Sequence, residues 1–495
     1  HLGTYSAQSM KQFVLILLLF AAIPSLAQNI LINKSPGSCE PSIKIDPSNP
    51  NKMVAGIVLN QVAYSEDGGK TWNKDKLTST FGVYGDPVID AASDGTFYYF
   101  HLSNPEEGHW IDRIVCQASH DGGKTWSDGS FAGLNGEKQQ DKHWSVIHPK
   151  TGAIYLTWTE FDSYGSTEPT CFSRIRFSAS YDKAETWTEA ITISEHQGNC
   201  IDDDETTEGA VPALGPDGEL YVCWANEFGL NFSTSVDEGK TWSSEKIIDE
   251  MPGGWAMDIP GIYRANGMPI LKVDLSNSLS RGTIYVNWAD QRNGISDTDI
   301  WLKKSTDGGE TWSDNQRVNN DPPGRQQFFT WMDVDQSTGR LYFVFYDRRA
   351  HADWETDVYL ATADPGGANM QNQIISETSF MPDPKVFFGD YTNISVQDGI
   401  IRPIWTRMDE GKTSVWLDIS EERVNPGLLE LVIPFELKSE AKVCLSVKGP
   451  NGKVKHLFKK KFAEGPQQLV YLWDSSKSER GVYTFALHQK KNVLW

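Results

Sequence analysis

The residues of this sequence that could do chemistry stand in short segments rich in Gly, Asp and Pro, such as VYGDP, QQDKHW, YRANG, YDRR and FGDY. An arginine fork binds a carboxylate through two hydrogen bonds. Carboxyl, imidazole and phenol groups transfer protons or attack electrophiles. The set therefore predicts a site that clamps an acidic sugar, and its structural alternative is turn caps and ion pairs. Its members are Asp86, Asp141, His143, Glu208, Arg264, Asp290, Arg292, Arg325, Asp347, Arg348, Asp390 and Tyr391.

An octet recurs between these segments and reads SEDGGKTW, SHDGGKTW, SYDKAETW, SVDEGKTW and STDGGETW. Its Ser and Asp side chains can bond their own backbone, its Gly allows positive φ, and its Trp packs against a sheet. A catalytic role would require the copies to converge on one cavity, whereas successive units carry them apart. We predict that the octets are structural turns, which contain Asp67, Asp121, Asp182, Asp237 and Asp307.

A second repeat alternates with the octets and consists of a Gly-containing turn followed by an apolar, aromatic strand, as in TGAIYLTWTE and DGELYVCWAN. The complete unit is strand, turn, strand, loop, strand, octet, strand. Four antiparallel strands repeated around an axis make a β-propeller. We predict an all-β fold with seven blades, six being the alternative, in which the segment NILINKS at Asn29 supplies the last strand.

The chain divides into three predicted regions. Residues 1–27 are a leader and signal peptide, because MKQFVLILLLFAAIPSLAQ has a positive start, a short apolar run and a small-residue cleavage site. Residues 28–419 form the propeller, and residues 420–495 alternate like an immunoglobulin-like β-sandwich without octets. We expect a secreted, periplasmic or cell-surface protein with no transmembrane segment after signal removal.

Composition limits the classes of ligand that the protein is expected to bind. A formal net charge of -21 argues against nucleic acid and leaves glycans or divalent cations. Cys171 and Cys200 flank one repeat and are predicted to pair, while Cys116 and Cys223 lie in strand patterns as buried thiols. No cysteine pair has metal-ligand spacing, and no cofactor is required. The acidic stretch IDDDETTE at Ile201 makes calcium a candidate ligand.

The octets resemble the Asp box, S-x-D-x-G-x-T-W, of sialidases and related BNR-repeat propellers. The resemblance spans most of residues 38–419 and implies hydrolysis that releases terminal sialic acid from glycans. It implies that three arginines hold the substrate carboxylate, a Tyr activated by a Glu attacks the sugar, and an Asp is the acid/base. The matching positions are Arg292, Arg325, Arg348, Tyr391, Glu208 and either Asp86 or Asp141.

Two departures from the sialidase pattern leave other functions open. Sialidases carry an R-I-P or R-L-P segment before the first box, and this chain has no Arg before Arg113. Sialidases also have six blades. A polysaccharide lyase acting on uronates is the enzymatic alternative, with His143, Tyr164, Arg292 and Tyr391 as candidates. A non-catalytic glycan-binding or adhesive propeller is the third interpretation.

Overall fold

The computed structural model describes residues 17–18, 28–420, 428–448, 453–474, 482–489 and 492–493. These residues form strands, turns and loops and contain no helix, which confirms the all-β prediction. They divide into two compact units, Leu26–Glu421 and the pair His1–Ser25 with Glu422–Trp495. The predicted boundary between residues 419 and 420 lies close to this division. The described part of the chain has no helix with the length and apolar character needed to cross a membrane.

The larger unit contains seven four-stranded antiparallel sheets, numbered here in chain order. Their strands are Ser42–Ile45, Met53–Ile57, Gln61–Ser65 and Asn73–Lys76 in sheet 1; Val88–Ala91, Phe97–Leu102, Ile114–Ser119 and Ser130–Ala132 in sheet 2; Gln139–Ile147, Ile154–Phe161, Ser173–Ser180 and Ile191–Thr192 in sheet 3; Glu208–Leu214, Leu220–Asn226, Gly229–Ser235 and Lys246–Asp249 in sheet 4; Ile270–Val273, Ile284–Asp290, Asp299–Ser305 and Gln316–Arg317 in sheet 5; Gln327–Val334, Leu341–Asp347, Asp357–Asp364 and Ala368–Ile374 in sheet 6; Asn393–Gln397, Ile400–Asp409, Lys412–Asp418 and Asn29–Asn33 in sheet 7. A two-stranded ribbon, Ala256–Met257 with Ala265–Asn266, lies between sheets 4 and 5 in the sequence.

The first strands of the seven sheets contact one another in a closed circuit, which we call the first-strand ring. Each first strand contacts that of the next sheet, and the first strand of sheet 7 contacts that of sheet 1. Asn29–Asn33 pairs with Lys412–Asp418, so the segment predicted to supply the last strand does so. The second strands carry large buried side chains, among them Trp158, Trp224, Trp288 and Trp405, which form the centres of their sheets.

The octets form hydrogen-bonded turns between third and fourth strands. In the second copy, Asp121 accepts from Ser119 Oγ at 2.9 Å and from Thr125 N and Oγ1 at 2.9 and 2.6 Å. Trp126 Nε1 donates to the carbonyl of Gly123 at 3.1 Å. The bonds to the aspartate recur around Asp67, Asp182, Asp237 and Asp307. The indole bond differs between copies, since Trp187 Nε1 donates to Ser130 Oγ at 2.8 Å and Trp312 Nε1 has no hydrogen-bond partner among the described residues. Each octet therefore satisfies its own Ser, Asp and Thr side chains, as a structural turn requires.

Replacing Asp121 by Ala is expected to lower the free energy of unfolding by about 1–2 kcal/mol, because several hydrogen bonds to one partly exposed carboxylate are lost. Urea denaturation measures this change. Asp217→Ala, at an exposed turn residue, is the control and should change stability by less than about 0.5 kcal/mol. An Asp121→Ala variant of unchanged stability that lacked activity would contradict the structural interpretation of the octet.

A disulfide joins Cys171 to Cys200, the pair singled out by the sequence. It links the loop after the second strand of sheet 3 to the loop that leads into sheet 4. Cys116 and Cys223 are free and buried. Because the bridge closes a loop with a sequence separation of 29, replacing both cysteines by Ser should lower the free energy of unfolding by about 3 kcal/mol. Equal denaturation midpoints with and without the bridge would refute this expectation.

The smaller unit contains two groups of strands. Leu428–Leu437 pairs with Gly465–Asp474. Ala441–Lys448 lies between Val454–Phe462 and Val482–Gln489, and Asn492–Val493 pairs with the latter. The predicted immunoglobulin-like assignment stays a prediction. The predicted signal segment lies outside the described residues except for Leu17–Leu18, which pair with Val482–Tyr483.

Candidate functional site

A buried lysine stands where three of the first strands begin. Lys142 Nζ lies 3.0 Å from Asp390 Oδ2, 3.5 Å from Asp86 Oδ2 and 4.0 Å from Asp141 Oδ1. The side chains of Lys142 and Asp390 are 8% and 4% exposed. We call these four residues the Lys142 cluster. Asp86 and Asp390 are more than 300 positions apart in the sequence. A neighbouring contact joins the same two segments, since Tyr391 Oη reaches the carbonyl of Pro87 at 3.5 Å.

The backbone at the start of the first strands directs these side chains. Asp86 and Lys142 both have a φ of 48°, a left-handed conformation that few non-glycine residues adopt. In sheet 3 the register shifts between Asp141 and Trp144, as at a β-bulge. A bulge turns side chains away from the normal alternation of a strand. Asp141 and Lys142, although adjacent, therefore belong to the same cluster.

A second layer of charge covers the Lys142 cluster. Arg264 binds Asp390 through Nε at 2.8 Å and through Nη2. Its Nη1 donates to Asp202 Oδ2 at 3.1 Å. Tyr164 Oη donates to the same oxygen of Asp202 at 2.5 Å. The guanidinium group thus connects the cluster to the loops of sheets 3 and 4, and its side chain is 41% exposed.

A cavity adjoins the cluster along the first-strand ring. Tyr391 contacts Trp144 at 5.3 Å between ring centroids, and Trp144 contacts Trp331 at 4.3 Å. Asn266 Nδ2 donates to the carbonyl of Asp390 at 2.8 Å. The wall therefore combines aromatic rings with a few polar groups, as in many small-molecule sites. It is lined by residues that include Lys142, Trp144, Asn266, Met268, Trp331, Asp390 and Tyr391.

The pKa values of two of the carboxyl groups beside Lys142 are shifted in opposite directions. Burial raises the pKa of Asp141 to about 7, an effect that Lys142 opposes and Asp86 reinforces. Burial would also raise the pKa of Asp390, but Lys142 and Arg264 lower it to about 2. One group is a proton donor near neutral pH, while the other stays ionised. Environments that separate the pKa values of neighbouring carboxyl groups are typical of acid/base catalysis.

Lys142 itself stays charged. Burial alone would lower its pKa, but Asp141, Asp86 and Asp390 raise it well above the ordinary value. Two further carboxyl groups lie close by. Burial raises the pKa of Glu208 well above its ordinary value, as does nearby Asp202. Burial likewise raises the pKa of Glu40, whose Oε1 accepts from the backbone N–H of Asp390 at 3.1 Å.

His143 and Tyr391 are close to the cluster but largely enclosed. His143 is buried, and neither ring nitrogen has a hydrogen-bond partner among the described residues. Burial lowers its pKa to about 4, so the ring is neutral. Burial also raises the pKa of Tyr391, with Asp86 and Glu40 adding to the rise. No described hydrogen bond joins Tyr391 to Glu208, the pair that the sialidase resemblance implies.

The other predicted arginines lie apart from the cluster. Arg292 Nε donates to both oxygens of Asp290, and its Nη2 contacts Asp249 at 3.4 Å. Arg348 is fully buried, where it donates to Thr356 Oγ1 and to the carbonyl of Pro260. Burial lowers its pKa to about 10. No contact in the described structure brings these two arginines together around one open space.

The remaining predicted site residues have structural surroundings. Arg325 Nη1 lies 3.4 Å from the carbonyl of Ala352. Asp347 is fully buried and pairs with Arg349 at 2.7 Å, just as Asp290 pairs with Arg292. Both aspartates end a second strand and hold an arginine two residues later. For Asp290 and Asp347 the ion-pair interpretation describes the geometry better than substrate binding.

The acidic stretch after Cys200 is engaged by protein donors. Besides the contacts of Asp202, Asp203 Oδ1 accepts from Asn199 Nδ2 at 2.8 Å and Asp204 Oδ1 from Ala256 N at 2.7 Å. Among the described residues, no group of three or more His, Cys, Asp and Glu side chains could hold a metal ion. Calcium binding at this stretch stays a prediction.

Lys142 and Glu40 were not predicted from the sequence as site residues, and Asp202 was predicted only as part of the candidate calcium-binding stretch. A signal for two of them was present. Glu40 and Lys142 stand two residues before the regular ladder of their first strands, as Asp86 and Tyr391 do. Superposing the starts of the first strands would have placed all four in one ring.

Several solved structures are similar to this chain. The Hadza microbial sialidase Hz136 is 15% identical over 76% of this chain and 74% of that chain, with a TM-score of 0.44. The NanB sialidase from Streptococcus pneumoniae is 12% identical over 77% and 83%, with a TM-score of 0.45. An ulvan lyase of polysaccharide lyase family PL25 is 9% identical over 81% and 99%, with a TM-score of 0.47. Similarities this low carry no information about activity.

A family model provides the more direct comparison. No curated protein sequence matches the chain significantly. The model of the BNR/Asp-box repeat matches residues 63–74, which contain the first octet. The first octet is therefore a match to the BNR/Asp-box repeat that the octets resemble.

Proposed function

We propose that the chain is a secreted, carbohydrate-active β-propeller whose seven sheets are blades and whose active site is the Lys142 cluster. The closed circuit of first strands and the pairing of Asn29–Asn33 in sheet 7 support the closed ring. The Cys171–Cys200 disulfide supports an oxidising, extracytoplasmic setting. The octets lie after third strands, at the other end of each sheet from the loops that carry Asp202 and Arg264.

The observation that carries the proposal is that one lysine contacts both Asp141, whose pKa is raised to about 7, and Asp390, whose pKa is lowered to about 2. We assign Asp141 as the general acid that protonates the glycosidic oxygen as the bond to the anomeric carbon breaks. Asp86 supplies the second carboxylate, which attacks the anomeric carbon or takes a proton from the attacking water. Because these oxygens lie 3.5 and 4.0 Å from one Nζ, at most about 7.5 Å separates them, which is below the upper limit of about 9.5 Å for carboxyl pairs of glycoside hydrolases.

Release of terminal sialic acid is the narrower form of this proposal. It needs three arginines that hold one carboxylate and a tyrosine activated by a glutamate. Arg292 and Arg348 are already engaged within the protein, and Arg264 is the arginine at the cluster. Tyr391 and Glu208 are not joined. The geometry therefore favours a hydrolase based on two carboxyl groups over the tyrosine mechanism.

Assays on three substrate classes test the proposal. The protein is incubated with an aryl sialoside, with neutral polysaccharides and with uronate polysaccharides, and released aglycone, new reducing ends and unsaturated product are measured. New reducing ends or aglycone that disappear in Asp141→Asn support hydrolysis at the cluster. Unsaturated product would instead indicate the lyase alternative. Binding without any product would indicate the adhesive alternative and refute the proposed hydrolysis.

A further inference from the structure

One flank of the Lys142 cluster is a row of aromatic rings with exposed members. Trp110 contacts Tyr84 at 5.9 Å and Tyr164 at 5.8 Å between ring centroids. Trp110 is 42% exposed. Tyr164 is the residue that donates to Asp202, which in turn binds Arg264. These rings, the Trp110 platform, are therefore continuous with the charged layer over the cluster.

A second aromatic group contacts Arg264. Arg264 lies over the ring of Phe387 at 5.2 Å, and Phe387 contacts Tyr263 at 6.0 Å. Tyr263 is 57% exposed. Trp354, also exposed, packs on the same loop, because a Cβ at Gly261 would lie 2.9 Å from its ring. These rings, the Tyr263 platform, reach the cluster through the same guanidinium group that binds Asp202.

The two cations at the cluster, Lys142 and Arg264, are already paired with carboxyl groups of the protein. Lys142 contacts Asp86, Asp141 and Asp390. Arg264 contacts Asp202 and Asp390. Each cation at the cluster is thus already surrounded by carboxylates, and an incoming carboxylate would meet those acidic groups without an uncommitted positive charge. An anionic sugar ring would be repelled there.

We infer that the site takes an uncharged polysaccharide, which lies across the Lys142 cluster with sugar units stacked on the Trp110 and Tyr263 platforms. Flat aromatic faces bury the apolar C–H faces of sugar rings, and their polar edges leave the hydroxyls to water. Two separate platforms connected to one site suit a chain of several sugar units, in contrast to a single terminal sugar. This inference rests on the proposed function for the identity of the central site.

Affinity electrophoresis and calorimetry with the Asp141→Asn variant test the inference without turnover. The ligands are soluble arabinan, xylan, galactan, mannan and glucan, set against polygalacturonate and polysialic acid. We expect binding to at least one neutral polymer, weakened about tenfold by Trp110→Ala and by Tyr263→Ala separately. Tyr181→Ala, which removes an exposed tyrosine in an octet turn, should leave binding unchanged. Thermal melts establish that each variant is folded.

The inference is overturned by binding only to anionic polymers, by no binding to any polymer, or by neutral binding that both platform variants retain. The inferred binding of an uncharged polysaccharide and the proposed hydrolysis can be refuted independently of each other. Platform-dependent binding of a neutral polymer without hydrolysis by the wild-type chain would leave the inference standing and remove the proposed activity. Hydrolysis of a small aryl glycoside, lost in Asp141→Asn but with no polymer bound, would do the reverse.

Discussion

Replacing Asp141 by Asn should lower kcat/KM on any cleaved glycan by about a thousandfold, because the amide cannot protonate the leaving oxygen. The change preserves the shape of the side chain and its acceptance of the backbone N–H of Lys142, a bond of 2.8 Å. The fold should therefore survive. Reducing-end or aglycone release measured at saturating and limiting substrate checks the loss. Asp217→Asn, at an exposed turn, is the matched control and should keep full activity.

The pH profile gives an independent readout of the same group. With a pKa of about 7 in the folded protein, Asp141 is protonated below neutrality, so activity should fall as pH rises through about 7. The folded pKa lies above the ordinary value of 3.8, so protonation of Asp141 stabilises the fold fully below pH 3.8. That contribution is lost as pH rises toward about 7. An activity that keeps rising to alkaline pH would assign the proton donor elsewhere.

Replacing Lys142 by Met should lower the free energy of unfolding by about 3–5 kcal/mol at pH 7.5, because it leaves buried carboxylates without their shared cation. The loss should shrink at lower pH, because Asp141, whose pKa is already raised to about 7, takes up its proton. Urea denaturation at pH 7.5 and pH 5 measures both effects. Activity should be lost as well, since the pKa of Asp390 is no longer lowered by Lys142.

An exposed ion pair is the control for this prediction. Lys183 Nζ lies 2.9 Å from Asp94 Oδ2, with side chains 64% and 48% exposed. Lys183→Met should change stability by less than about 1 kcal/mol. Equal effects of the two substitutions would mean that water reaches the Lys142 cluster freely, and the opposed pKa values of Asp141 and Asp390 would then lose their physical basis.

Much of the fold is readable from the sequence because its signals are local. The octet satisfies its Asp, Ser and Thr side chains within eight residues, as around Asp121. In the strands after each Gly turn, apolar residues either alternate with polar ones or form a continuous run. A buried strand such as Leu220–Asn226 can therefore be predicted from its own residues. The closing strand at Asn29 could be predicted because the seventh unit lacked an outer strand, and an unpaired edge must be covered.

The candidate site was predicted less well, because the sequence around a residue does not show which distant residues it will contact in the folded protein. An Arg close to an Asp looked like a substrate clamp at Arg292 and Arg348. Arg292 instead binds Asp290 two residues earlier, and Arg348 is buried and donates to Thr356 and to the carbonyl of Pro260. Arg264 has no such neighbour and finds Asp390, 126 positions away. In the sequence, Lys142 looks like an ordinary residue at the start of a strand. Its place in the cluster depends on the register shift between Asp141 and Trp144, which the sequence does not show.

The amino-acid sequence by itself determined the repeating unit, its turns and the general face on which chemistry could occur, since these depend on hydrogen bonds and side-chain periods within a few residues. Only the tertiary structure decided which of many aspartates and arginines meet. That choice also sets their protonation, because burial and the distance between charges govern a pKa, and both quantities exist only once the sheets have been brought around one centre.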